Sequence, residues 1–312
     1  MTSPAFFDLQ VNGYGGVDFN QDDLTPDALH RACERLEADG VAGILATVIT
    51  DHLDRMSRRL SNLVRLREAD PLAKRLIVGL HIEGPFISPV QGYRGAHPAD
   101  AVRPADRDEM QLLLDAGGGL TKLVTLAPEQ DAGAKVTRLL ASQGVRVSAG
   151  HTDASLDQLS AALDAGLTLF THLGNGCPMQ MHRHDNIVQR ALSLAGRLQI
   201  MFIADGTHVP YTALRNYLRL TGIDTTIVVS DAIAPAGLGP GRYTLGRWDL
   251  LIGDDMVARA PDGSHFVGSA ITMKQAYANL IGPVGLSNTD ATKLTRDNPM
   301  RAVGIESTTL SS

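Results

Sequence analysis

The sequence predicts an α/β fold, specifically a (β/α)8 TIM barrel. Eight short apolar runs alternate with amphipathic segments along most of the chain, and this alternation is typical of repeated βα units. Several runs are rich in valine, isoleucine and leucine with little alternation, as in parallel strands that are buried on both faces. The alternative is a doubly wound open sheet, which normally places its ligand near one switch point.

The predicted strands and helices follow one another in order. The strands are Ala5–Val11, Gly43–Thr50, Arg75–Ile82, Leu120–Ala127, Val145–Ala149, Leu167–Leu173, Leu198–Ala204 and Asp224–Ser230. Helical segments with one apolar face lie between them, and the first is opened by Thr25 as cap and Pro26 in the first turn. The helices indicated by the sequence are Asp27–Ala38, Leu53–Glu68, Leu156–Ala165, Tyr211–Leu220, Ala270–Ile281 and Thr289–Ile305.

The segment 233–268 interrupts this rhythm. Repeated glycines separate short alternating runs there, so we predict an excursion of β-hairpins inserted after strand eight. The chain has no Pro/Ser-rich linker, low-complexity tract or internal repeat. We therefore predict that residues 1–312 form a single barrel domain.

Composition and charge exclude several classes of protein for this chain. The net charge of −6 excludes the strongly basic balance of a dedicated nucleic-acid binder. No run approaches the roughly 18 apolar residues that span a bilayer, and the amino terminus lacks a basic and apolar leader. Cys33 and Cys177 make neither a disulfide framework nor a cysteine-rich zinc module. We expect a cytoplasmic protein that binds neither nucleic acid nor membrane.

Four polar residues lie at the predicted carboxyl ends of different strands. Glu83 follows strand three, His151 strand five, His172 strand six and Asp231 strand eight, and in a barrel these ends share the rim that carries the active site. Two imidazoles and a carboxylate suit a borderline divalent ion such as Zn²⁺, so we predict Glu83, His151 and His172 as metal ligands. Asp231 is then the general base that takes a proton from metal-activated water and passes it to a leaving amine.

Other polar residues have more ordinary interpretations. A single histidine at a strand end is more often a hydrogen-bonded structural residue, so the prediction depends on four strand ends together. His81, His182, His184 and Cys177 receive no functional role. Gln10 and Asn12 stand where a two-metal barrel hydrolase would carry a His-x-His pair, and neutral amides are poor Zn²⁺ ligands beside imidazole. One ion is therefore favoured over two.

Several motifs, in order along the chain, resemble the N-acetylglucosamine-6-phosphate deacetylase family of the amidohydrolase superfamily. They are Val11–Asp18, His81–Phe86, Ala149–Thr152, Thr171–Asn175, Ile203–His208, Ser230–Ala232, Gly268–Met273 and Asn298–Gly304. The resemblance runs from about residue 6 to residue 305. It implies a barrel of the metal-dependent amidohydrolase type, here expected without the family's separate β-sandwich domain.

The resemblance also implies roles for individual residues. Glu83, His151 and His172 match the family's metal ligands, and Asp231 matches its catalytic acid and base. His97 matches the residue that orients and polarises the acetamide carbonyl. The implied substrate contacts are His97, Asn175, Gly176, Arg183, His208, Phe266, Val267 and Gly268. Arg183 corresponds to an arginine that meets the phosphate from a neighbouring subunit, which implies a homodimer, and a guanidinium suits a phosphate dianion.

The implied function is removal of acetate from N-acetylglucosamine 6-phosphate in amino-sugar catabolism. The expected cofactor is one divalent metal ion per subunit, Zn²⁺ first, with Fe²⁺, Mn²⁺ and Co²⁺ as alternatives. Two other functions stay open: an amidohydrolase acting on N-acetylgalactosamine 6-phosphate or an unphosphorylated acetamido sugar, and a non-catalytic sugar-phosphate sensor.

Overall fold

A computed structural model describes residues 5–245, 248–254, 256–259 and 266–305. The strands in these residues are β1 (Phe6–Val11), β2 (Gly13–Tyr14), β3 (Val17–Asp18), β4 (Val41–Ile49), β5 (Ile77–Glu83), β6 (Thr121–Leu126), β7 (Arg146–Ala149), β8 (Leu167–Phe170), β9 (Gln199–Ile203), β10 (Thr226–Val229), β11 (Gly241–Leu245), β12 (Trp248–Ile252), β13 (Val257–Arg259) and β14 (Phe266–Ser269). Eight of them form a parallel sheet in the order β1-β4-β5-β6-β7-β8-β9-β10. The predicted TIM barrel is confirmed.

The strands β1 and β10, at the two ends of this order, meet at a seam that closes the barrel. Val11 and Ala232 form an isolated parallel bridge. The buried carboxylate of Asp8 accepts the backbone N–H of Ser230 at 3.2 Å and also the Ser230 hydroxyl. Burial raises the pKa of Asp8 to about 7, although these hydrogen bonds oppose the rise. Asp8 is thus a titratable group inside the barrel wall.

Asp8 gives the stability of the fold a dependence on pH. Between its ordinary pKa of 3.8 and the raised value of about 7, the folded chain holds a proton that the unfolded chain has released. The contribution of Asp8 to the free energy of unfolding therefore falls as the pH rises through that window. We expect the free energy of unfolding to fall less in Asp8→Asn than in wild type between pH 5 and pH 7.5, by about 2 kcal/mol. Urea denaturation at both pH values measures it, and equal pH dependence in the two proteins would contradict this assignment.

Helices lie in the predicted amphipathic segments, and four more occur among the described residues at 71–76, 107–116, 135–142 and 187–193. The helices are α1 (Pro26–Ala38), α2 (Leu53–Ala69), α3 (Pro71–Leu76), α4 (Arg107–Ala116), α5 (Lys135–Ser142), α6 (Leu156–Asp164), α7 (Ile187–Ser193), α8 (Tyr211–Thr221), α9 (Met273–Ile281), α10 (Asn288–Thr292) and α11 (Asn298–Ala302). Thr25 caps α1 and Ser155 caps α6 by accepting backbone N–H groups of the first turn. None of the described helices combines the length and apolarity needed to span a bilayer.

The single helix predicted at 289–305 is wrong in detail. A π-helical turn, Lys293–Asp297, joins α10 to α11, and Pro299 lies in the first turn of α11. Proline has no backbone N–H to donate to the residue four positions earlier, so a regular α-helical ladder cannot run through this point.

The predicted hairpin excursion is a four-stranded antiparallel sheet in the order β11-β12-β13-β14. It joins the barrel directly beside Asp231: the backbone N–H of Ser269 donates to the carbonyl oxygen of Asp231 at 3.2 Å, and the N–H of Ile233 donates to Ser269 at 3.0 Å. The inserted segment 233–268 is therefore flanked at both ends by residues next to a predicted catalytic residue. The division of residues 1–312 into one domain stays a prediction.

Candidate active site

The four residues predicted from the strand ends lie at the carboxyl end of the barrel. Glu83 is the last residue of β5, whereas His151, His172 and Asp231 each follow their strand by two residues. These three have left-handed φ angles of 50°, 28° and 51°. Such backbone costs on the order of 1–3 kcal/mol for a residue other than glycine and clusters at functional sites. Sequence patterns carry no signal for it at non-glycine positions.

Glu83 contacts both predicted histidine ligands. Its Oε1 lies 3.0 Å from Nε2 of His172 and 3.4 Å from Nε2 of His151, and all three side chains are buried. A tetrahedral shell with bonds of about 2.0–2.1 Å has ligand–ligand distances of about 3.3 Å. The donor types, and the distance of each histidine from Glu83, therefore fit a divalent metal ion.

His97 also reaches this cluster, from the loop that follows β5. Its Nε2 lies 3.2 Å from Nε2 of His151, and one ligand atom each from Glu83, His97 and His151 lie within 4.8 Å of one another. The Nδ1 atom of His97 is buried and has no hydrogen-bond partner among the described residues. His97 is therefore close enough to the predicted ligands to contact a substrate held at a metal ion there.

Burial and mutual contact set the charges of the cluster. Burial alone would raise the pKa of Glu83, but hydrogen bonds and charge from His151 and His172 outweigh it and hold that pKa well below its usual range. Burial lowers the pKa of His97 to about 3, so its ring is neutral. Burial raises the pKa of Asp231, and the Glu83 charge adds to the rise, against His172 and a hydrogen bond from Asn12. Burial alone would lower the pKa of His172, but the hydrogen bond and charge of Glu83 raise that pKa. Because a ligating histidine must be neutral, metal binding there would release a proton.

The ring of His151 is held from outside the cluster. Its Nδ1 lies 2.9 Å from the carbonyl oxygen of Tyr93, and because a carbonyl only accepts, Nδ1 carries the hydrogen and Nε2 keeps its lone pair for a ligand bond. Gly176 packs on the same ring with a φ of 58°, and a Cβ atom there would lie 2.8 Å from Nδ1. Gly176, a predicted substrate contact, therefore also leaves space for the ring of His151.

The side-chain amides of Gln10, in β1, and Asn12, just after β1, bind the carboxylates of the site. Gln10 Nε2 donates to Glu83 Oε1 at 2.9 Å and to Asp231 Oδ1 at 3.0 Å. Asn12 Nδ2 donates to the same Asp231 oxygen at 2.8 Å. Amide N–H groups thus stand where a His-x-His pair would present lone pairs. The number of ions stays a prediction.

Two predicted substrate residues lie at the rim beside the cluster. Asn175 follows His172 closely, and its Nδ2 donates to the His172 carbonyl oxygen at 3.1 Å. His208 follows β9, and its Nδ1 lies 2.5 Å from Oδ2 of Asp205. Asp205 also accepts the N–H groups of the turn that leads to His208. Turn-capping patterns in a sequence are local, so they do not show that the second oxygen of Asp205 orients a ring.

The remaining predicted contacts are Arg183, Phe266, Val267 and Gly268. Arg183 is exposed in the segment between β8 and α7, and it makes no ion pair with any residue in the described ranges. Met179, in the same segment, is 100% exposed. The side chains of Phe266 and Val267 lie outside the described residues. Gly268 has a φ of 66° and lies against Ile233, where a Cβ would be 2.5 Å from that side chain.

The residues without a predicted role lie outside the cluster of ligands. His81 is fully buried beneath it, with Nε2 2.8 Å from the hydroxyl of Thr125, and burial lowers its pKa to about 4. Burial raises the pKa of the Cys177 thiol to about 11, so it is a poor nucleophile. His182 and His184 are exposed.

Comparison with known proteins places the chain in a family. Models of known protein families give no match. The chain is 31% identical to N-acetylglucosamine-6-phosphate deacetylase of Bacillus subtilis (strain 168), with 97% of this chain and 75% of the relative covered. It is 30% identical to N-acetylgalactosamine-6-phosphate deacetylase of Escherichia coli O157:H7, with 97% and 78% covered. The crystal structure of N-acetyl-D-glucosamine-6-phosphate deacetylase from Mycobacterium smegmatis superposes with a TM-score of 0.87 at 32% identity, over 97% of this chain and 78% of that one. The chain therefore belongs to the N-acetylglucosamine-6-phosphate deacetylase family.

Proposed function

We propose that this chain is a metal-dependent hydrolase that converts N-acetylglucosamine 6-phosphate to glucosamine 6-phosphate and acetate, a step of amino-sugar catabolism. The observation that carries the proposal is the buried contact of Glu83 with His151 and His172, linked to Asp231 through Gln10. The names of the similar proteins supply the substrate class. A metal site beside an acid–base group is one arrangement that hydrolyses an unactivated amide.

The proposed cofactor is one Zn²⁺ ion per subunit, with Fe²⁺, Mn²⁺ and Co²⁺ as alternatives. Glu83, His151 and His172 would hold it, because a carboxylate and two imidazoles are donors that borderline divalent ions prefer. When bound, such an ion polarises the acetamide carbonyl and makes water a stronger acid. His97, placed beside the ligands, orients and polarises the same carbonyl.

Asp231 moves the proton in the proposed reaction. It takes a proton from the attacking water, whose oxygen forms a bond to the acetamide carbon. When the carbon–nitrogen bond breaks, Asp231 returns that proton to the departing amine. Gln10 and Asn12 both donate to Oδ1, so we assign the proton transfer to Oδ2. A raised pKa for Asp231 fits a carboxylate that must both accept and release a proton near neutral pH.

The sugar is proposed to lie across the rim, against side chains and backbone that surround the cluster. The contacts in this proposal are His97, Asn175, Gly176, His208, Phe266, Val267 and Gly268. His208 supports it most directly, because Asp205 fixes its ring. A ring that is held in place before binding loses less entropy when it hydrogen-bonds a sugar hydroxyl.

Arg183 is proposed to bind the 6-phosphate, from a neighbouring subunit of a homodimer. Its exposure and its lack of an ion-pair partner within the described ranges leave its guanidinium available to an anion. We also place the enzyme in the cytoplasm, since Cys33 and Cys177 are both unpaired thiols.

Arg183→Ala tests the phosphate role. We expect KM for N-acetylglucosamine 6-phosphate to rise by about tenfold or more, because a charge-assisted contact to phosphate contributes about 1.5–3 kcal/mol. KM for unphosphorylated N-acetylglucosamine should not change. Arg138→Ala, on the exposed face of α5, is the matched control. An unchanged KM for the phosphorylated sugar would remove Arg183 from the site.

The substrate itself is tested by acetate release from three sugars at equal concentration: N-acetylglucosamine 6-phosphate, N-acetylgalactosamine 6-phosphate and free N-acetylglucosamine. The proposal predicts the highest kcat/KM for the first. A higher value for the galactosamine epimer would move the chain toward the function of its Escherichia coli relative. Binding of all three without release of acetate would instead indicate a sensor.

A further inference from the structure

Thr171 is a fully buried residue directly after β8 that has no part in the reaction proposed above. Its hydroxyl donates a hydrogen bond of 2.6 Å to Oε1 of Gln10, which lies on β1 across the barrel. Both residues have no exposed surface. A fully buried hydroxyl that hydrogen-bonds one specific side chain calls for an explanation beyond packing.

The Gln10 side chain, which accepts that hydrogen bond, ends in an amide with one accepting and one donating atom. The amide of Gln10 accepts through Oε1 and donates through Nε2. Nε2 lies 2.9 Å from Glu83 Oε1 and 3.0 Å from Asp231 Oδ1. One amide nitrogen therefore uses both hydrogens to join two carboxylates. If the amide rotated by half a turn, Oε1 would face both carboxylate oxygens and both bonds would become repulsive contacts.

We propose that Thr171 is a positioning residue, whose hydroxyl holds the Gln10 amide in the orientation that cross-links the metal-ligand carboxylate Glu83 to the base Asp231. The cross-link keeps the group that binds the ion and the group that moves the proton at a fixed separation. It does so with a neutral amide, at a cost in stability lower than that of a further buried charge. The kinetic part of this proposal rests on the proposed function, whereas its metal-binding part does not.

Packing explains why the Thr171 hydroxyl points at Gln10. Gly150, next to His151, has no side chain, and a Cβ atom there would lie 2.5 Å from Cγ2 of Thr171. The methyl group of Thr171 therefore fills the space that Gly150 leaves, which fixes χ1 and directs the hydroxyl toward β1. The side chain is set by contacts on both of its branches.

The same strand provides a matched control. Thr168 lies within β8, and its Oγ1 is buried with no hydrogen-bond partner among the described residues. Thr168→Val and Thr171→Val make the same chemical change three residues apart. Only the second removes a hydrogen bond to the site. The difference between these variants isolates the role of the Thr171 hydroxyl.

The test measures kcat, KM and metal affinity in Thr171→Val, Thr171→Ser and Thr168→Val. Loss of an outer contact to a metal ligand typically costs about 10–100-fold in activity or affinity. We expect Thr171→Val to lose kcat by that factor, with KM within about threefold of wild type, and to bind Zn²⁺ more weakly in competition with a chelator. Thr171→Ser, which keeps the hydroxyl, should recover most of both, and Thr168→Val should behave as wild type.

A second variant guards against a folding defect. Gln10→Met removes the amide at similar length, so it should reproduce the losses of Thr171→Val. The double variant Gln10→Met/Thr171→Val should lose no more than Gln10→Met alone, since both changes break one linkage. Full additivity of the two losses would overturn the proposal, as would equal kcat and Zn²⁺ affinity in Thr171→Val and Thr168→Val. If the wild type releases no acetate but the variants show the predicted differences in Zn²⁺ affinity, the proposed function is wrong and the positioning role is supported.

Discussion

Asp231→Asn is expected to abolish nearly all deacetylation, with kcat lowered by about 10²–10⁴-fold, the range that a positioned acid–base group contributes. The amide of asparagine cannot take the proton from water or return it to the amine. Its carbonyl oxygen still accepts the hydrogen bonds that Gln10 and Asn12 give to Oδ1, so the fold and the metal cluster should stay intact. KM should change little, because Asp231 acts on the proton and does not hold the sugar.

Steady-state kinetics with metal analysis of the same preparation measures this outcome. Asp153→Asn is the matched control: Asp153 lies two residues after His151, but its carboxylate pairs with Arg190 at 3.0 Å. That variant should keep wild-type kcat. If Asp231→Asn released acetate at the wild-type rate with one metal ion per chain, Asp231 would not be the base.

Glu83→Gln is expected to have the second large effect, loss of the metal ion and of activity with it. Oε1 of Glu83 is the atom that faces both histidine rings. A neutral amide binds divalent ions far more weakly than a carboxylate, and its N–H group would also oppose the Gln10 donor. We expect metal affinity to fall by more than the roughly 100-fold that loss of an outer contact can cost.

Metal content after dialysis against a weak chelator measures the effect of Glu83→Gln directly, and it needs no substrate. Glu109→Gln on α4 is the control, because Glu109 pairs with Arg103 at 2.8 Å. That protein should retain about one ion per chain. Retention of the ion by Glu83→Gln would show that Glu83 is not a ligand, and the site would have to be rebuilt around His97 and His151.

The barrel could be predicted because each buried strand repeats the same aliphatic pattern. The main site could be predicted for a related reason. Carboxyl ends of parallel strands meet at one rim, so Glu83, His151, His172 and Asp231 are brought together by topology alone. The ordered motifs then added residues that do not lie at strand ends, including His97 and Arg183. These predictions rest on strand order, which a sequence displays well.

Contacts that depend on side-chain rotamers could not be read in this way. His97 reaches His151 from a loop with no periodic pattern, and Asp205 orients His208 with an oxygen that a turn motif leaves unspecified. The bond from Thr171 to Gln10 joins residues 161 positions apart. In each case the geometry arises from packing in three dimensions, and the one-dimensional pattern is compatible with several outcomes.

The central claim is that a metal ion held at Glu83, His151 and His172 is needed for removal of acetate from a phosphorylated amino sugar. The most direct measurement is acetate release from N-acetylglucosamine 6-phosphate by wild-type protein that has been stripped with a chelator and then titrated with Zn²⁺. We predict no release from the stripped protein and recovery that saturates near one ion per chain. Full activity in the stripped protein, or no release at any metal loading, would contradict this account.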